Sequence, residues 1–443
     1  MIKQLLFSVL ALGQGNYHSP SIETIPAEDY YQQVISALPL LPQNYQPGGF
    51  DCATTVAADD PNYQTSAAMG TELGWLEKSA HDWYYFPSSA TEGKVLAIDF
   101  AYKNQQLSYR YLANEATHTE LFEPWSSSKI MAFIGAMSKL SADFAQPDTL
   151  VGQLRVADII TSIHSYQAIG GANGDSNAYA YYFANLAGRD YLTALLHHAW
   201  LNSGQPQVKF RGAYGPAAYA PEPPRWLTAS RNQQLLLNPP SSDPGMLGYR
   251  CDECGLTGNK PMTTLVLAEF LKRLASYQRD PLTRLDGLSQ PAIDLLFFGV
   301  GHSLHEIAAG GMMAGASLTP HRAIAAALQE HYPVLRGLSV QATLDQASNG
   351  NWRILHKLGA GPSETRNSGE VVALMHVCLP LPDGSREFTM AVQASSDQQD
   401  YTGVGEAGLK VEQLIRQATL QLLRQPPLKV NADKVNATHA QSL

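Results

Sequence analysis

The chain has 443 residues, of which 44% are hydrophobic and 16% charged, so it can form one large domain with insertions or two to three smaller domains. Thirty basic and thirty-nine acidic residues give a formal charge of −9. The sequence shows no basic stripe, which argues against nucleic acid as a partner.

The first fifteen residues, MIKQLLFSVLALGQG, have the features of a short secretory signal. They contain one lysine, a short apolar core and the small residues Ala11 and Gly13. We therefore expect a signal peptide over 1–13 and an exported protein, periplasmic or secreted. An ordinary buried first helix is the alternative. No later segment reaches the length of a membrane span, so we expect no stable span.

Residues 14–90 are rich in Pro, Tyr, Ser and Asp and have little periodicity, which predicts an irregular segment wrapped on the main domain. Two strands are predicted next, VLAIDFAY over 95–102 and LSYRYLA over 107–113. They are rich in β-branched or aromatic residues, and the polar turn KNQQ joins them.

Helices follow, because apolar residues recur at helical spacing. The apolar faces of the first two helices consist of Ile130, Phe133, Ile134, Met137 and Leu140, and of Val156, Ile159, Ile160 and Ile163. A polar, Pro-rich insertion over 200–257 is predicted to be loop-dominated. A helix is predicted over 263–277, and a second, packed helical insertion over 296–350.

Three strands, over 352–359, 371–381 and 386–394, are predicted to complete the sheet, with PDG as the hairpin turn of the second pair. A last helix is expected to stop before Pro426, and 426–443 to be a flexible tail. Two strands, many helices, three strands and one helix form an α+β order. We expect one domain over 91–425, a five-stranded antiparallel sheet flanked by helices with an all-helical subdomain.

Neither the cysteines nor the histidines predict a metal centre. The four cysteines, Cys52, Cys251, Cys254 and Cys378, allow three pairings. The string CDEC has no second Cys or His pair at matching spacing, so a local disulfide or free thiols are favoured over zinc. The string HSLHE is not the HExxH of zinc proteases. We expect no metal and no other cofactor.

The string FEPWSSSK, over 122–129, places serines and a lysine at the start of a helix that is otherwise apolar. Ser126 and Lys129 are three apart, which on a helix puts their Cβ atoms roughly 5–6 Å from each other. A serine at a helix N-terminus can attack a carbonyl, and a lysine of lowered pKa can take its proton. The alternative is that the serines cap the helix and the lysine extends to water.

Three motifs in order resemble those of the penicillin-binding protein and serine β-lactamase superfamily, and particularly the class A-like serine hydrolases. In FEPWSSSKIMAF, Phe122 stands four residues ahead of Ser126, as in the family. DSNAYAYYFANLAGRDYL is similar to the family's second motif, with Asn177 followed by Gly188. HKLGAGPSETRNSGEVVAL looks like the family's Lys-Thr/Ser-Gly strand. The resemblance covers roughly 95–425 and is loosest over 200–257 and 296–350.

This resemblance implies a β-lactamase/DD-peptidase-like fold and a set of site residues. Ser126 would be the nucleophile that forms an acyl-enzyme, and Lys129 its base or proton relay. Asn177 would position the substrate amide and Lys129, and Lys357 would bind the substrate carboxylate. The backbone N–H groups of Ser126 and Ala360 would form the oxyanion hole.

The remaining positions include both matches to and departures from the family pattern. Gly359 would let substrate lie close along the strand. Where the family has a hydroxyl residue two before the Asn, this chain has Asp175, so either Ser176 supplies the hydroxyl or Asp175 pairs with a lysine and makes it a poorer base. Leu358 replaces the usual Thr or Ser, which removes a substrate hydrogen bond.

Glu253, in ECGLT, is a weak match to the family's deacylating glutamate.

The expected function is therefore a serine hydrolase that acts on an amide or ester, either a β-lactam or a peptidoglycan-like peptide. The first alternative is a catalytically impaired homologue that binds cell-wall peptide or a protein partner, favoured by Asp175 and Leu358. A structural extracytoplasmic domain is the second. The expected partner is a small-molecule or peptide substrate, and the sequence leaves the oligomeric state open.

Overall fold

The computed structural model describes residues 22, 24–47, 52, 61–103, 105–212, 214–236, 260–299 and 309–425. A mixed sheet of seven strands forms its centre, in the order β1-β4-β3-β13-β12-β11, with β2 pairing beside β4. All pairs are antiparallel except that between β2 and β4. These strands are β1 (Gln64–Thr65), β2 (His81–Asp82), β3 (Lys94–Lys103), β4 (Gln106–Ala113), β11 (Arg353–Ser363), β12 (Ser368–Leu379) and β13 (Arg386–Ser396).

The five long strands confirm the predicted antiparallel sheet, and β1 and β2 correct the predicted strand number. Each of these two has only two residues, which is too short for the alternation that identifies strands in a sequence. The predicted hairpin also forms, since residues 380–385 connect β12 to β13, and Gly384 has a φ of 127°. Glycine accepts that angle without a steric penalty.

Eleven α-helices lie in the described ranges and cover both faces of the sheet. They are α1 (Ala27–Tyr30), α2 (Ser66–Met69), α3 (Lys129–Met137), α4 (Val156–Ser165), α5 (Ser176–Ala187), α6 (Arg189–His197), α7 (Thr264–Ala275), α8 (Gln290–Phe298), α9 (Thr319–His331), α10 (Val340–Ser348) and α11 (Tyr401–Leu423). The predicted helices are confirmed as α3, α4, α7 and α11. Helix α11 begins at Tyr401, directly after its N-cap Asp400. None of the helices in the described ranges is both long and apolar enough for a membrane span.

Six short strands lie outside the large sheet. Four of them form a small sheet and two a hairpin, and they are β5 (Leu150–Val151), β6 (Leu154–Arg155), β7 (Ala168–Ile169), β8 (Ala172–Asn173), β9 (Arg225–Leu227) and β10 (Gln234–Leu236). Strands β7 and β8 connect the end of α4 to the start of α5. The described part of 200–257 contains only β9 and β10, whereas 309–350 contains α9 and α10.

Alternate residues of the sheet enter two different hydrophobic cores, as the two-residue period of a strand requires. Val372 and Leu374 of β12 pack with α3, α7 and the other helices of the helical subdomain. Val371 and Ala373 pack with α9, α10 and α11 on the opposite face. In the helical subdomain, α3 packs against α5, α6 and α8. The fold is thus α+β, with helices on both faces and a helical subdomain on one side.

A disulfide joins Cys52 to Cys378, with Cα atoms 5.8 Å apart and 326 residues of separation. It ties the N-terminal part of the chain to the end of β12. The local pair Cys251 and Cys254 lies outside the described residues, as do residues 1–13, HSLHE and the tail 426–443.

Candidate active site

The segment that leads into α3 carries the predicted nucleophile. Phe122 forms two backbone hydrogen bonds of 2.9 Å with Met262, and residues Trp125–Ser128 form one 3-10 turn before α3 begins at Lys129. The Ser127 hydroxyl donates to the Pro124 carbonyl at 2.6 Å, and the Ser128 hydroxyl donates to the Trp125 carbonyl at 3.0 Å. Neither the turn nor α3 has a side-chain N-cap. Helix capping therefore does not explain these serines.

Trp125, directly before Ser126, has a left-handed backbone with a φ of 50°. Such a conformation is strained for a bulky residue and persists only where the surroundings hold it. The Trp125 indole N–H donates to the Glu370 carboxylate at 2.7 Å, and Arg366 makes an ion pair with the same carboxylate. Arg366 is thus held by Glu370 beside the serine turn.

Strand β11 presents alternate residues to the serine turn. The side of the strand that carries Lys357 also carries positions 359 and 361, because the strand period is two. A Cβ on Gly359 would lie 2.5 Å from the Pro124 carbonyl oxygen and 2.7 Å from the Ser126 nitrogen. A Cβ on Gly361 would lie 2.6 Å from the Trp125 ring. Glycine at both positions lets the strand come into contact with the backbone of Ser126.

Lys129 is fully buried, with an exposure of 0%. Its ammonium group donates to the Ser176 hydroxyl at 2.8 Å and to the Asn177 side-chain oxygen at 2.6 Å. The pKa of Lys129 is lowered to about 8, mainly by burial; attraction to Tyr166 opposes this shift, and repulsion from Lys357 adds to it. The alternative in which this lysine extends to water is therefore wrong. A lysine in this state can exist as the neutral amine near physiological pH.

Ser176, at the start of α5, links the two lysines through one carbonyl group. Its hydroxyl donates to the Ile163 carbonyl at 2.6 Å while accepting from Lys129. Lys357 donates to the same carbonyl at 3.1 Å. Of the two alternatives for this motif, the geometry therefore matches the first, in which Ser176 and not Asp175 contacts the lysine.

Asp175 stands outside this group. It is exposed and is the N-cap of α5, where its side chain accepts from the Ala178 N–H at 3.0 Å. No ion pair joins it to a lysine within the described residues. The carboxylate thus stabilises the helix N-terminus, and the structure does not bring it together with the other predicted site residues.

Lys357 is 1% exposed, and burial lowers its pKa to about 7. In the described ranges, neither Lys357 nor Lys129 has a carboxylate within ion-pair distance. The two neighbouring residues of β11 face the other way: Leu358 is buried in the core under α11, and the Ala360 side chain packs against that core. Only the backbone of Ala360 is then left to face a substrate.

Three aromatic residues contact the site although the sequence motifs assigned them no role. Trp125 is described above. The ring of Tyr166 lies 5.0 Å from the Lys129 ammonium nitrogen and 4.2 Å from that of Lys357. The Tyr214 hydroxyl is 3.0 Å from that of Ser128, and burial raises the Tyr214 pKa well above its usual value. Tyr166 and Tyr214 lie 37 and 85 residues from Lys129, so local spacing gave no signal for them.

A second buried ion pair borders the site. Lys260 lies 3.5 Å from Glu123, and the Lys260 ammonium nitrogen is 4.8 Å from the centroid of the Tyr214 ring. Glu253, the weak candidate for a deacylating base, lies outside the described residues. Nor do the described residues contain any group of three His, Cys, Asp or Glu side chains that could hold a metal ion.

The chain is similar to several solved structures at low identity. These include a TLA-1 extended-spectrum β-lactamase (12% identity, TM-score 0.40, 75% of this chain and 93% of that chain) and a β-lactamase from Burkholderia vietnamiensis (15%, 0.39, 74% and 93%). A protein described as PBP-A is also similar (10%, 0.36, 74% and 89%). No protein-family model and no curated protein matches the sequence. Because every one of these TM-scores is below 0.5, the chemistry of the site rests on the contacts described above.

Proposed function

We propose that this protein is a serine hydrolase of the β-lactamase and penicillin-binding protein superfamily. It acts on an amide or ester, a β-lactam or a peptidoglycan-like peptide, through an acyl-enzyme on Ser126. The observation that carries the proposal is the state of Lys129. It is a buried lysine of lowered pKa, three residues from a serine, held by Ser176 and Asn177 and without a carboxylate partner in the described ranges.

These contacts support the following reaction. The neutral amine of Lys129 takes the proton of the Ser126 hydroxyl as that oxygen attacks the substrate carbonyl. The N–H of Ser126, held at β11 by Gly359, and the N–H of Ala360 stabilise the negative charge on the carbonyl oxygen. Protonated Lys129 and Ser176 then return a proton to the leaving nitrogen or oxygen, and water later hydrolyses the acyl-enzyme.

Lys357 is the group that supports an anionic substrate. Its ammonium is buried and has only the Ile163 carbonyl as hydrogen-bond acceptor in the described ranges. A charged group in that state gains from an anion, because Coulomb attraction is stronger where water is excluded. The substrate is thus expected to carry a carboxylate. Asn177 supports an amide contact, because its side chain is exposed and its N–H₂ group has no hydrogen-bond acceptor within the described ranges.

A catalytically impaired, peptide-binding protein remains the second candidate. Leu358 favours it, because this side chain is 6% exposed, packs in the core and offers no hydroxyl to a substrate. In that case the cleft would hold a carboxylate-bearing peptide without transferring its acyl group.

Labelling with a fluorescent penicillin separates the two candidates. Wild-type protein, Ser126→Ala and Ser127→Ala are incubated with the probe and analysed on denaturing gels and by mass spectrometry. Ser127 is the matched control, because its hydroxyl bonds the Pro124 carbonyl. A covalent adduct on Ser126 in wild type and Ser127→Ala, absent from Ser126→Ala, supports the hydrolase. No adduct on any of the three, together with reversible binding of a carboxylate-bearing peptide by wild type, supports the second candidate.

We further propose that the protein is exported. The disulfide between Cys52 and Cys378 supports this, because such bonds persist in oxidising compartments. Cell fractionation followed by thiol counting tests it. Recovery from the cytoplasm with both cysteines reduced would contradict export.

A further inference from the structure

The side chain of Tyr166 lies between solvent and the two site lysines. Lys129 and Lys357 have exposures of 0% and 1%, whereas Tyr166 is 42% exposed. Its ring centroid is within 5.0 Å of both ammonium nitrogens. A cation near the face of an aromatic ring is attracted by it, so the ring takes the position next to Lys357 that an anion would otherwise occupy.

The backbone fixes where this ring stands. Tyr166 is the C-cap of α4 in a left-handed conformation, with a φ of 58°, and its N–H donates to the Ser162 carbonyl at 3.0 Å. The Ser162 hydroxyl donates to the Gln167 carbonyl at 2.9 Å and accepts from the Gly174 N–H at 3.0 Å. The two ends of the β7–β8 hairpin are therefore anchored to one residue of α4.

The side chain of Tyr166 is 42% exposed although its backbone is anchored. On its inner side the ring and the hydroxyl interact with Lys129, so displacing the ring gives up this contact. Neighbouring hairpin residues Gln167, Ala168 and Gly170 are exposed. Rotation of one side chain thus uncovers Lys357 without any change in the strands or helices that hold the site.

We propose that Tyr166 covers the two lysines in the substrate-free protein and selects among substrates, because the carboxylate of a substrate reaches Lys357 only after displacing this ring. This inference rests on the proposed function. A neutral ester needs Ser126 and Lys129 but not the Lys357 ammonium, so its acylation depends less on removal of the ring. Tyr166 is a specificity-determining residue in this scheme and takes no part in proton transfer.

Amine acetylation tests the cover without any turnover. Folded protein is pulsed with N-hydroxysulfosuccinimide acetate at pH 7.5, and mass spectrometry compares acetylation of Lys357 with that of exposed Lys78. Relative labelling of Lys357 should rise at least tenfold in Tyr166→Ala and stay low in wild type and Tyr166→Phe, which keeps the ring. Tyr84→Ala, at a tyrosine 73% exposed elsewhere, is the matched control and should match wild type.

Selectivity is measured on the same proteins with fluorescent penicillin, which is anionic, and p-nitrophenyl acetate, which is neutral. The ratio of Ser126 acylation rates, anionic over neutral, should rise at least fivefold in Tyr166→Ala. An unchanged ratio, or equal Lys357 labelling in wild type and Tyr166→Ala, overturns the inference. If the proposed function is wrong, the result is different, because neither probe modifies Ser126 in any variant. The acetylation experiment still decides in that case whether Tyr166 covers Lys357.

Discussion

Gly359 lies so close to Ser126 that a Cβ on residue 359 would stand 2.7 Å from the Ser126 nitrogen. The same added atom would be 2.5 Å from the carbonyl oxygen of Pro124. Real Cβ atoms do not approach backbone atoms this closely, so the strand and the serine turn would have to separate. In the proposed mechanism, this close approach lets backbone N–H groups from both elements face one substrate oxygen.

We therefore expect Gly359→Ala to reduce Ser126 acylation by about 100-fold, the usual effect of losing one oxyanion donor. Initial rates of penicillin labelling measure this. Gly337→Ala is the control, because Gly337 has a φ of 81° with open space around it, so its replacement adds backbone strain away from the site. If Gly359→Ala lost no more activity than Gly337→Ala, the contact between strand and serine would have no role in catalysis.

The two lysines predict a bell-shaped pH profile for an anionic substrate. Acylation needs neutral Lys129, whose pKa is about 8, and carboxylate binding needs charged Lys357, whose pKa is about 7. At pH 7.5 about one quarter of each lysine is in the required state, so kcat/KM should peak there and fall on both sides. With p-nitrophenyl acetate the alkaline fall should be absent. Stopped-flow acylation from pH 5.5 to 10 measures both curves, and a fall above pH 8 with the neutral ester would contradict the assignment to Lys357.

Lys129→Met should stabilise the protein while strongly reducing its activity. A charged lysine in this site loses hydration, and an apolar side chain of similar volume removes that penalty, which at pH 7 is worth about 1–3 kcal/mol. Loss of the base should reduce acylation by about 10³-fold. Urea unfolding and penicillin labelling provide the two measurements, with Lys78→Met as the exposed control. A variant less stable than wild type at pH 7 would show that the buried ammonium is well compensated.

The difference in stability between wild type and Lys129→Met should depend on pH in a defined direction. The folded-state pKa of Lys129, about 8, is below its ordinary value of 10.5, so the unfolded chain binds more protons between these limits. The stability of wild type should therefore rise with pH from about 8 to 10.5, and its deficit relative to Lys129→Met should shrink over that window. A constant difference between the two proteins across this range would contradict the lowered pKa.

Much of the framework could be predicted from sequence because its signals are local. The continuous apolar run of β12 and the apolar residues of α3 at helical spacing are visible in a short window, and they were confirmed as strand and helix. The relation between Ser126 and Gly359 joins elements 233 residues apart, and only the three-motif resemblance suggested it. Trp125 and Tyr166 could not be predicted, since nothing in their neighbours signals a left-handed backbone or a ring over two lysines. The choice between Ser176 and Asp175 was also beyond the sequence, because both can start a helix and the outcome depends on the hairpin before them.

Glu370 is expected to hold Trp125, and through it Ser126, in the active conformation. The buried Glu370 carboxylate accepts the Trp125 indole N–H at 2.7 Å and pairs with Arg366. Glu370→Ala leaves the indole without its acceptor and the guanidinium without its partner, so we expect a destabilisation of about 2–4 kcal/mol. Acylation should fall by about tenfold, because the strained φ of Trp125 persists only while its surroundings hold it.

Arg366→Ala separates positioning from stability. It removes the ion pair but leaves Glu370 with Trp125 and with the Ser368 hydroxyl, which donates to it at 2.9 Å. This variant should lose comparable stability and keep most of its acylation rate, because the indole is still anchored. Thermal unfolding and penicillin labelling of both variants decide the point. Equal loss of acylation in Arg366→Ala and Glu370→Ala would mean that the carboxylate acts only through the stability of β12, and that the conformation of Trp125 does not depend on its hydrogen bond.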